Sequence, residues 1–156
     1  CLSNRGQMFW LDENSPACIG PKRRPRTTLS PTLALKDGSP YMVFGTPGGD
    51  QQDQWSLHLF LRHVHFRLNL QEAIDAPGFS TAHFPNSFYP RETDIGHLAV
   101  EGRFPKETID ELFKKGHKVS VDSDWSLGRM TAASMENGIL KGAANPRFMQ
   151  GYAIGR

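Results

Sequence analysis

The segment Gly45-Thr46-Pro47-Gly48-Gly49-Asp50-Gln51-Gln52 constrains this chain most, because two adjacent glycines join an apolar run at residues 40–44 to a helical pattern. In that pattern Trp55, Leu59, His63 and Phe66 fall along one face. A strand entering a helix through glycines predicts a backbone open to close approach, with unpaired N–H groups and the helix dipole aimed at whatever sits there. Such a turn suits a phosphate, a carboxylate or the transient oxyanion of acyl transfer. A purely geometric account competes, since strand-to-helix turns need glycine for their dihedrals alone. Asp50 would then be a plain N-cap, with Asp53 adding favourable charge to the first turn.

Upstream, Arg24-Pro25-Arg26-Thr27-Thr28-Leu29-Ser30-Pro31-Thr32 packs hydroxyls beside guanidinium groups, just before a strand-like run at residues 33–35. Arginine offers a planar fork of donors and a hydroxyl adds a short directional bond, a combination that orients carboxylates. The same Thr and Ser residues equally suit backbone capping around Pro31, with the charges of residues 22–26 solvated.

Three segments in this order carry a family resemblance: Asn4-Arg5-Gly6-Gln7-Met8, the Arg24 to Thr32 stretch, and Gly45-Thr46-Pro47-Gly48-Gly49. Asn69-Leu70-Gln71-Glu72-Ala73-Ile74-Asp75-Ala76-Pro77 and Ala144-Asn145-Pro146-Arg147 extend it over nearly the whole chain. Together they resemble the small subunit of the gamma-glutamyltranspeptidase family. A lone Pro-Gly-Gly is weak, but several segments in register are specific.

The resemblance implies an N-terminal-nucleophile hydrolase with a four-layer α-β-β-α sandwich, made as one precursor that cuts itself into a large and a small subunit. The new N-terminal threonine is the nucleophile and its own α-amino group the base; the acyl group passes to the threonine hydroxyl and then to water or an amine. No metal or organic cofactor is required. By the same resemblance, Thr27 and Thr28 bind the α-carboxylate of a glutamyl group, with Arg26 beside them. Gly48 and Gly49 form the oxyanion hole, and Asn4 and Gln7 line the acyl pocket.

Two departures qualify this expectation. The nucleophilic threonine is expected a few dozen residues before Cys1, which leaves the catalytic hydroxyl outside the given sequence. Cys1 offers an amine beside a thiol, but Cys1-Leu2-Ser3 matches the interior strand preceding Asn4, so catalysis is not assigned to it. Phe9 and Trp10 follow Met8 where transpeptidases of this family carry acidic residues, one of which grips the substrate α-amino group. An amine desolvated beside Trp10 without a carboxylate gains little, whereas an acyl group lacking the amine fits better. A glutaryl or similar dicarboxylic acyl group is therefore the alternative, unless Asp12 supplies the missing charge.

Composition fits a piece of a larger fold. The 156 residues are 38% hydrophobic and 22% charged, ordinary for a globular chain able to bury a core. No apolar run approaches the roughly 18 residues of a membrane span. A net charge of +2 is too small to argue for nucleic acid, and the basic tract at residues 21–26 lacks interleaved aromatics. Two cysteines define neither a disulfide framework nor a zinc site and leave the compartment open, and His58, His63 and His65 form no i, i+4 pair.

Elsewhere the pattern predicts scaffold: a short helix at 70–75 stopped by Pro77, a strand-like Ser87-Phe88-Tyr89, a strand at 98–102, and a helix from Pro105 closed by Gly116. Ile109, Leu112 and Phe113 supply that helix with an apolar face. Strands follow at 118–121 and 130–135, and Glu136-Asn137-Gly138 turns the latter into Ile139 and Leu140. Mixed helices and hairpins predict an α+β class and a single domain over residues 1–156. Exposed strand edges and apolar surface are expected, with a large subunit from the same precursor as partner. Acyl transfer or hydrolysis of γ-glutamyl amides, glutathione among them, is the expected function. Beside the acylase alternative stands a non-catalytic fragment that only binds carboxylates.

Overall fold

The computed structural model describes residues 3–149 and 151–155; Cys1 lies outside them. Two sheets form an α+β chain. The first has the order β1-β2-β6-β7, from β1 (Thr32–Lys36), β2 (Ser39–Gly45), β6 (Thr131–Glu136) and β7 (Ile139–Ala144), with all pairings antiparallel. The second has the order β3-β4-β5, from β3 (Phe79–Thr81), β4 (His97–Glu101) and β5 (Lys118–Asp122). Here β4 and β5 run parallel. Parallel neighbours need a crossover, supplied by α3 (Lys106–Lys114). Asn137 and Gly138, both at positive φ, make the tight turn between β6 and β7, as an Asn-Gly pair predicts.

Helices α1 (Gln52–Val64) and α2 (Leu70–Asp75) cover one face of the four-stranded sheet. Their apolar sides meet Met42, Phe44, Met130, Ala132 and Ala143 through Leu59, Leu70, Ala73 and Ile74. Alternation along β2 is broken once: the register slips between Ala34 and Leu35, leaving Tyr41 unpaired. That bulge turns Tyr41 to the same side as Met42, where its hydroxyl meets His63 Nε2 at 3.0 Å. His63 Nδ1 lies 2.8 Å from the Leu68 carbonyl, which can only accept, so Nδ1 carries the proton and Nε2 accepts from Tyr41. Two glutamine amides pin the helices to strand backbones. Gln54 exchanges hydrogen bonds with Thr81 (3.0 and 2.8 Å), and Gln71 does so with Ala144 (3.0 and 3.3 Å).

The opposite face of this sheet presents Leu33, Val43, Ala133, Met135 and Leu140. Leu33 is 57% exposed and Leu140 77%. Tyr152, Ala153 and Ile154 border an open groove of about 660 Å3 on it. No helix among the described residues is long and apolar enough to cross a membrane.

Several sequence expectations need correction. Phe66 lies beyond α1 and is 73% exposed, because the chain leaves the helix at His65 to reach Leu68. Ser87-Phe88-Tyr89 is irregular rather than a strand, since the Ser87 amide is taken by Asp50 and that of Phe88 by Asn86 Oδ1. α3 buries no residue fully, and Phe113 is exposed. β3 is an unexpected strand: at three residues it is too short to show a period.

The two sheets meet at a buried ion cluster. Glu101, at the end of β4, is 0% exposed, and Arg147, just past β7, is 3% exposed. Arg147 donates to both Glu101 carboxylate oxygens at 2.6 and 2.8 Å, and Arg103 donates at 2.7 Å. The Gly78, Ser126 and Leu127 amides complete the set. The same arginines, with Arg62, donate to carbonyls at the C-terminal end of α2, among them Ile74, Asp75, Ala76 and Pro77. Cations there also oppose the negative end of the helix dipole.

Burial pushes the Glu101 carboxyl up, but hydrogen bonds from Arg147, the Gly78 and Leu127 amides and Arg103 outweigh it and hold it at about 2. Burial first, and then the nearby Arg62 charge, lower His58 to about 4 as it stacks on Phe79 at 3.9 Å. Both folded values lie below their unfolded ones, so the unfolded chain binds protons first as pH falls. Stability from these groups is therefore full above about pH 6.5, declines toward pH 4 as unfolded His58 protonates, and declines further from about 4.3 toward 2 through Glu101. Thermal unfolding of the purified protein across pH should show both stages. His58→Phe should abolish the first, and Glu101→Ala should cost about 3–5 kcal/mol near neutrality by leaving Arg147 unpaired. A pH-independent melting temperature from 7 down to 3 would contradict this account.

Candidate functional site

The chain leaves β2 at Gly45, turns at Thr46 and Pro47, and makes one 3-10 turn, Gly49–Gln51, before α1 begins. Thr46 braces the bend: its hydroxyl donates to the Pro47 carbonyl at 2.7 Å and accepts from the Arg129 amide at 3.1 Å. Gly48 has φ 141° and ψ 21°, and Gly49 has φ 63°. A Cβ on Gly48 would lie 2.3 Å from Trp55 Cζ3, so the indole packs where a side chain would start. Gly49 is less crowded, its nearest neighbour being Phe88 at 3.6 Å. No side chain caps this turn, and the Gly48 and Gly49 amides have no backbone acceptor among the described residues. Two adjacent N–H groups are thus left at a helix start, an anion-binding arrangement.

Trp55 holds the turn from beneath. Its indole N–H donates to the Phe79 carbonyl in β3 at 3.2 Å, and its ring also lies against Gly128. The glycine turn is thereby fixed to both sheets.

Asp50 is not an N-cap. Its carboxylate accepts from both the Ser87 amide, at 2.8 Å, and the Ser87 hydroxyl, and it pairs with Arg26 at 3.4 Å. Arg26 is thereby brought to the helix start, and Ser30, whose hydroxyl lies 3.4 Å from Gln52 Oε1, draws the hydroxyl-rich segment alongside. The two threonines differ in situation. Thr27 accepts from the Leu29 amide at 3.1 Å, a local turn contact of the kind a capping role requires. Thr28 is buried, and its hydroxyl has no hydrogen-bond partner among the described residues. Beside them a cleft of about 350 Å3 is lined by Arg26, Asp50, Gln54, Thr81, Phe84 and Glu92 among others.

Asn4 and Gln7 sit on an N-terminal 3-10 turn, Asn4–Met8, capped by Ser3. Both side chains are exposed. The link between this turn and the glycines is Arg91, which donates to the Gln7 and Phe9 carbonyls at 3.1 and 2.6 Å and to the Ser87 carbonyl at 2.8 Å. Its guanidinium also stacks on Trp10, 4.8 Å from the ring centre. Asp12 is engaged by the Asn14 amide at 2.9 Å. Sequence reasoning missed Ser87 and Arg91 because the Ser-Phe-Tyr-Pro-Arg stretch scores as strand or turn. The one available signal was a lone arginine following Pro90.

Among the described residues, no group of three or more His, Cys, Asp or Glu side chains is placed to hold a metal ion.

These features define a two-sheet α+β chain organised around a glycine turn with two unpartnered amides. The chain belongs to the gamma-glutamyltranspeptidase family, whose model matches residues 1–155. It is 35% identical over 157 aligned residues to the glutathione hydrolase-like YwrD proenzyme of Bacillus subtilis (strain 168), covering 99% of this chain and 29% of that protein. A solved structure of LmbA2991HD superposes with a TM-score of 0.92 at 52% identity, over 99% of this chain and 28% of that one. The cephalosporin acylase of Bacillus halodurans superposes with a TM-score of 0.79 at 31% identity, over 92% and 25%. The chain therefore spans under a third of the length of these relatives.

Replacing either glycine tests the turn. Gly48→Ala should lower stability by more than the roughly 1–2 kcal/mol of a left-handed alanine, because Trp55 must also move. Gly49→Ala should stay within that range. Equal melting temperatures for the two variants would show that Trp55 does not hold the turn.

Proposed function

We propose that this chain is most of the small subunit of an N-terminal-nucleophile hydrolase that transfers or hydrolyses acyl groups of γ-glutamyl-type amides. The observation that carries this is the pair of unpartnered amides at Gly48 and Gly49, held on a turn that only glycine can make against Trp55. In this proposal the nucleophile is the N-terminal threonine of the matured small subunit, contributed by a segment preceding residue 1, with its own amine as base. The Gly48 and Gly49 amides receive the oxyanion as the tetrahedral intermediate forms. They are already oriented, so developing charge meets donors that need no rearrangement. Thr28, with its unengaged hydroxyl, takes the acyl group's carboxylate with Thr27 and Arg26 near it, and Asn4 and Gln7 border the acyl pocket.

Residues 1–156 act as a single domain in this proposal, and the exposed apolar face of the four-stranded sheet receives the sheet of the large subunit, giving the four-layer sandwich. The apolar groove along that face supports this. No cofactor is invoked.

A second reading, a glutaryl-type acylase, is favoured by one observation: Trp10 stands where an acidic residue would grip an ammonium group, and the Arg91 cation covers it. Similarity to the cephalosporin acylase is compatible with it.

Expression of the whole precursor tests both. Mass and N-terminal sequencing should find two chains, the smaller beginning with threonine, and the purified pair should release aniline from γ-glutamyl or glutaryl anilides. The faster substrate decides between the readings. A processed protein inert toward both, or a precursor that never cuts, would overturn the proposal.

A further inference from the structure

The loop spanning residues 82–96 contains no helix or strand, yet Ser87 within it is 1% exposed and Arg91 is half-buried. Arg91 adopts a positive φ of 65°, a region uncommon for a residue with a side chain. It makes three charge-assisted hydrogen bonds to carbonyls, two on the distant Gln7 to Phe9 segment and one on Ser87 in its own loop, and covers the face of Trp10. Among the described residues no carboxylate lies within salt-bridge distance of it, whereas Arg26, Arg103 and Arg147 each have one. The loop is tied in turn to the glycine turn, since Ser87 gives both its amide and its hydroxyl to Asp50, the residue after Gly49. Contacts therefore run unbroken from Gly49 through Asp50, Ser87 and Arg91 to Gln7, Phe9 and Trp10.

We propose that Arg91 is a positioning and specificity-determining residue: it clamps the Gln7 to Trp10 strap against the anion turn and holds an unneutralised positive charge beside the acyl pocket. This rests on the acyl-pocket assignment made above. A guanidinium satisfied only by carbonyls and an aromatic face keeps its full charge. An acyl chain bearing an α-ammonium is repelled there, and one ending in methylene or carboxylate is not. Of the two readings above, this favours the glutaryl-type acylase over the γ-glutamyl one. The planar fork also matters, since lysine cannot reach the Ser87, Gln7 and Phe9 carbonyls from one head group while lying flat on Trp10.

The test compares wild type, Arg91→Met and Arg91→Lys in the mature two-chain protein, by calorimetric titration with glutarate and with L-glutamate and by kcat/KM on the two anilides. Ratios between the ligands cancel any loss of correctly folded protein. Arg91→Met should reduce the glutarate-to-glutamate affinity ratio about tenfold, as loss of one ionic contact does, with a parallel change in the anilide ratio. Arg91→Lys should keep most of the ratio while raising KM for both anilides several-fold, because charge remains and the clamp does not. Unchanged ratios in Arg91→Met, or a wild type that binds neither acid, would overturn the proposal. A wild type that binds glutarate in an Arg91-dependent way but turns over neither anilide would leave Arg91's role standing and overturn the acyl-transfer reading instead.

Discussion

Glu101 ends β4 with no exposure and accepts six hydrogen bonds, from Arg147, Arg103 and the amides of Gly78, Ser126 and Leu127. A carboxylate removed from water is tolerable only when every lone pair is met and opposite charge is adjacent. Both conditions hold, and meeting them fixes the chain on a large scale. Arg147 follows β7 of one sheet, Glu101 closes β4 of the other, and Arg62, Arg103 and Arg147 together hold the carbonyl end of α2. Replacing the cluster with apolar side chains could match its stability, but it would leave α2 with open carbonyls and the sheets free to slide. The Arg103 guanidinium carbon sits 3.4 Å from the centre of the Trp125 ring, which borders the cluster.

The glycine turn inherits that rigidity through a short chain of contacts. Trp55 bonds to Phe79 in β3, β3 pairs with β4, and β4 ends in Glu101. The same indole occupies the space beside Gly48. A backbone anion site is useful only if its N–H groups do not relax toward each other or toward a neighbouring carbonyl when empty. Here the aromatic ring below and the Thr46 brace behind prevent that relaxation.

Local chemistry was legible in the sequence where a local rule decides the outcome. The glycine turn, the short helix stopped at Pro77, the Gly116 stop after α3 and the Asn137-Gly138 hairpin all depend on residues within a few positions of one another. What escaped depends on partners far along the chain. Asp50 has the position of an N-cap, but Ser87 offers two donors to one carboxylate and wins it. Ser87-Phe88-Tyr89 has the composition of a strand, yet no strand edge is within reach of its amides. The pairing of Glu101 with Arg147 joins residues 46 apart, and nothing in either flanking sequence announces it. The hydroxyl segment was legible as a group but not residue by residue. Thr27 accepts from its own backbone, whereas Thr28 is buried as a residue and makes no such bond among the described residues.

Placing the functional groups on irregular chain has a physical logic. The candidate site draws on the 3-10 turn Asn4–Met8, the extended segment at 24–31, the glycine turn and the 82–96 loop, none of which is held by a strand ladder. Their order comes instead from charged groups: Arg91 on three backbone carbonyls, Asp50 on the Ser87 amide, and the Arg26–Asp50 ion pair. Such bonds are stronger than neutral ones and directional, so a few suffice to fix a loop. They also place charge at the rim of the pocket rather than in its floor, where the backbone amides work. Floor and rim are then separable. In the proposed function the floor answers to the oxyanion, which every acyl transfer shares, while the rim answers to the far end of the acyl chain, which distinguishes one substrate from another. On that proposal, variation at Phe9, Trp10 and Arg91 changes which acyl group is accepted while Gly48, Gly49 and Trp55 stay as they are.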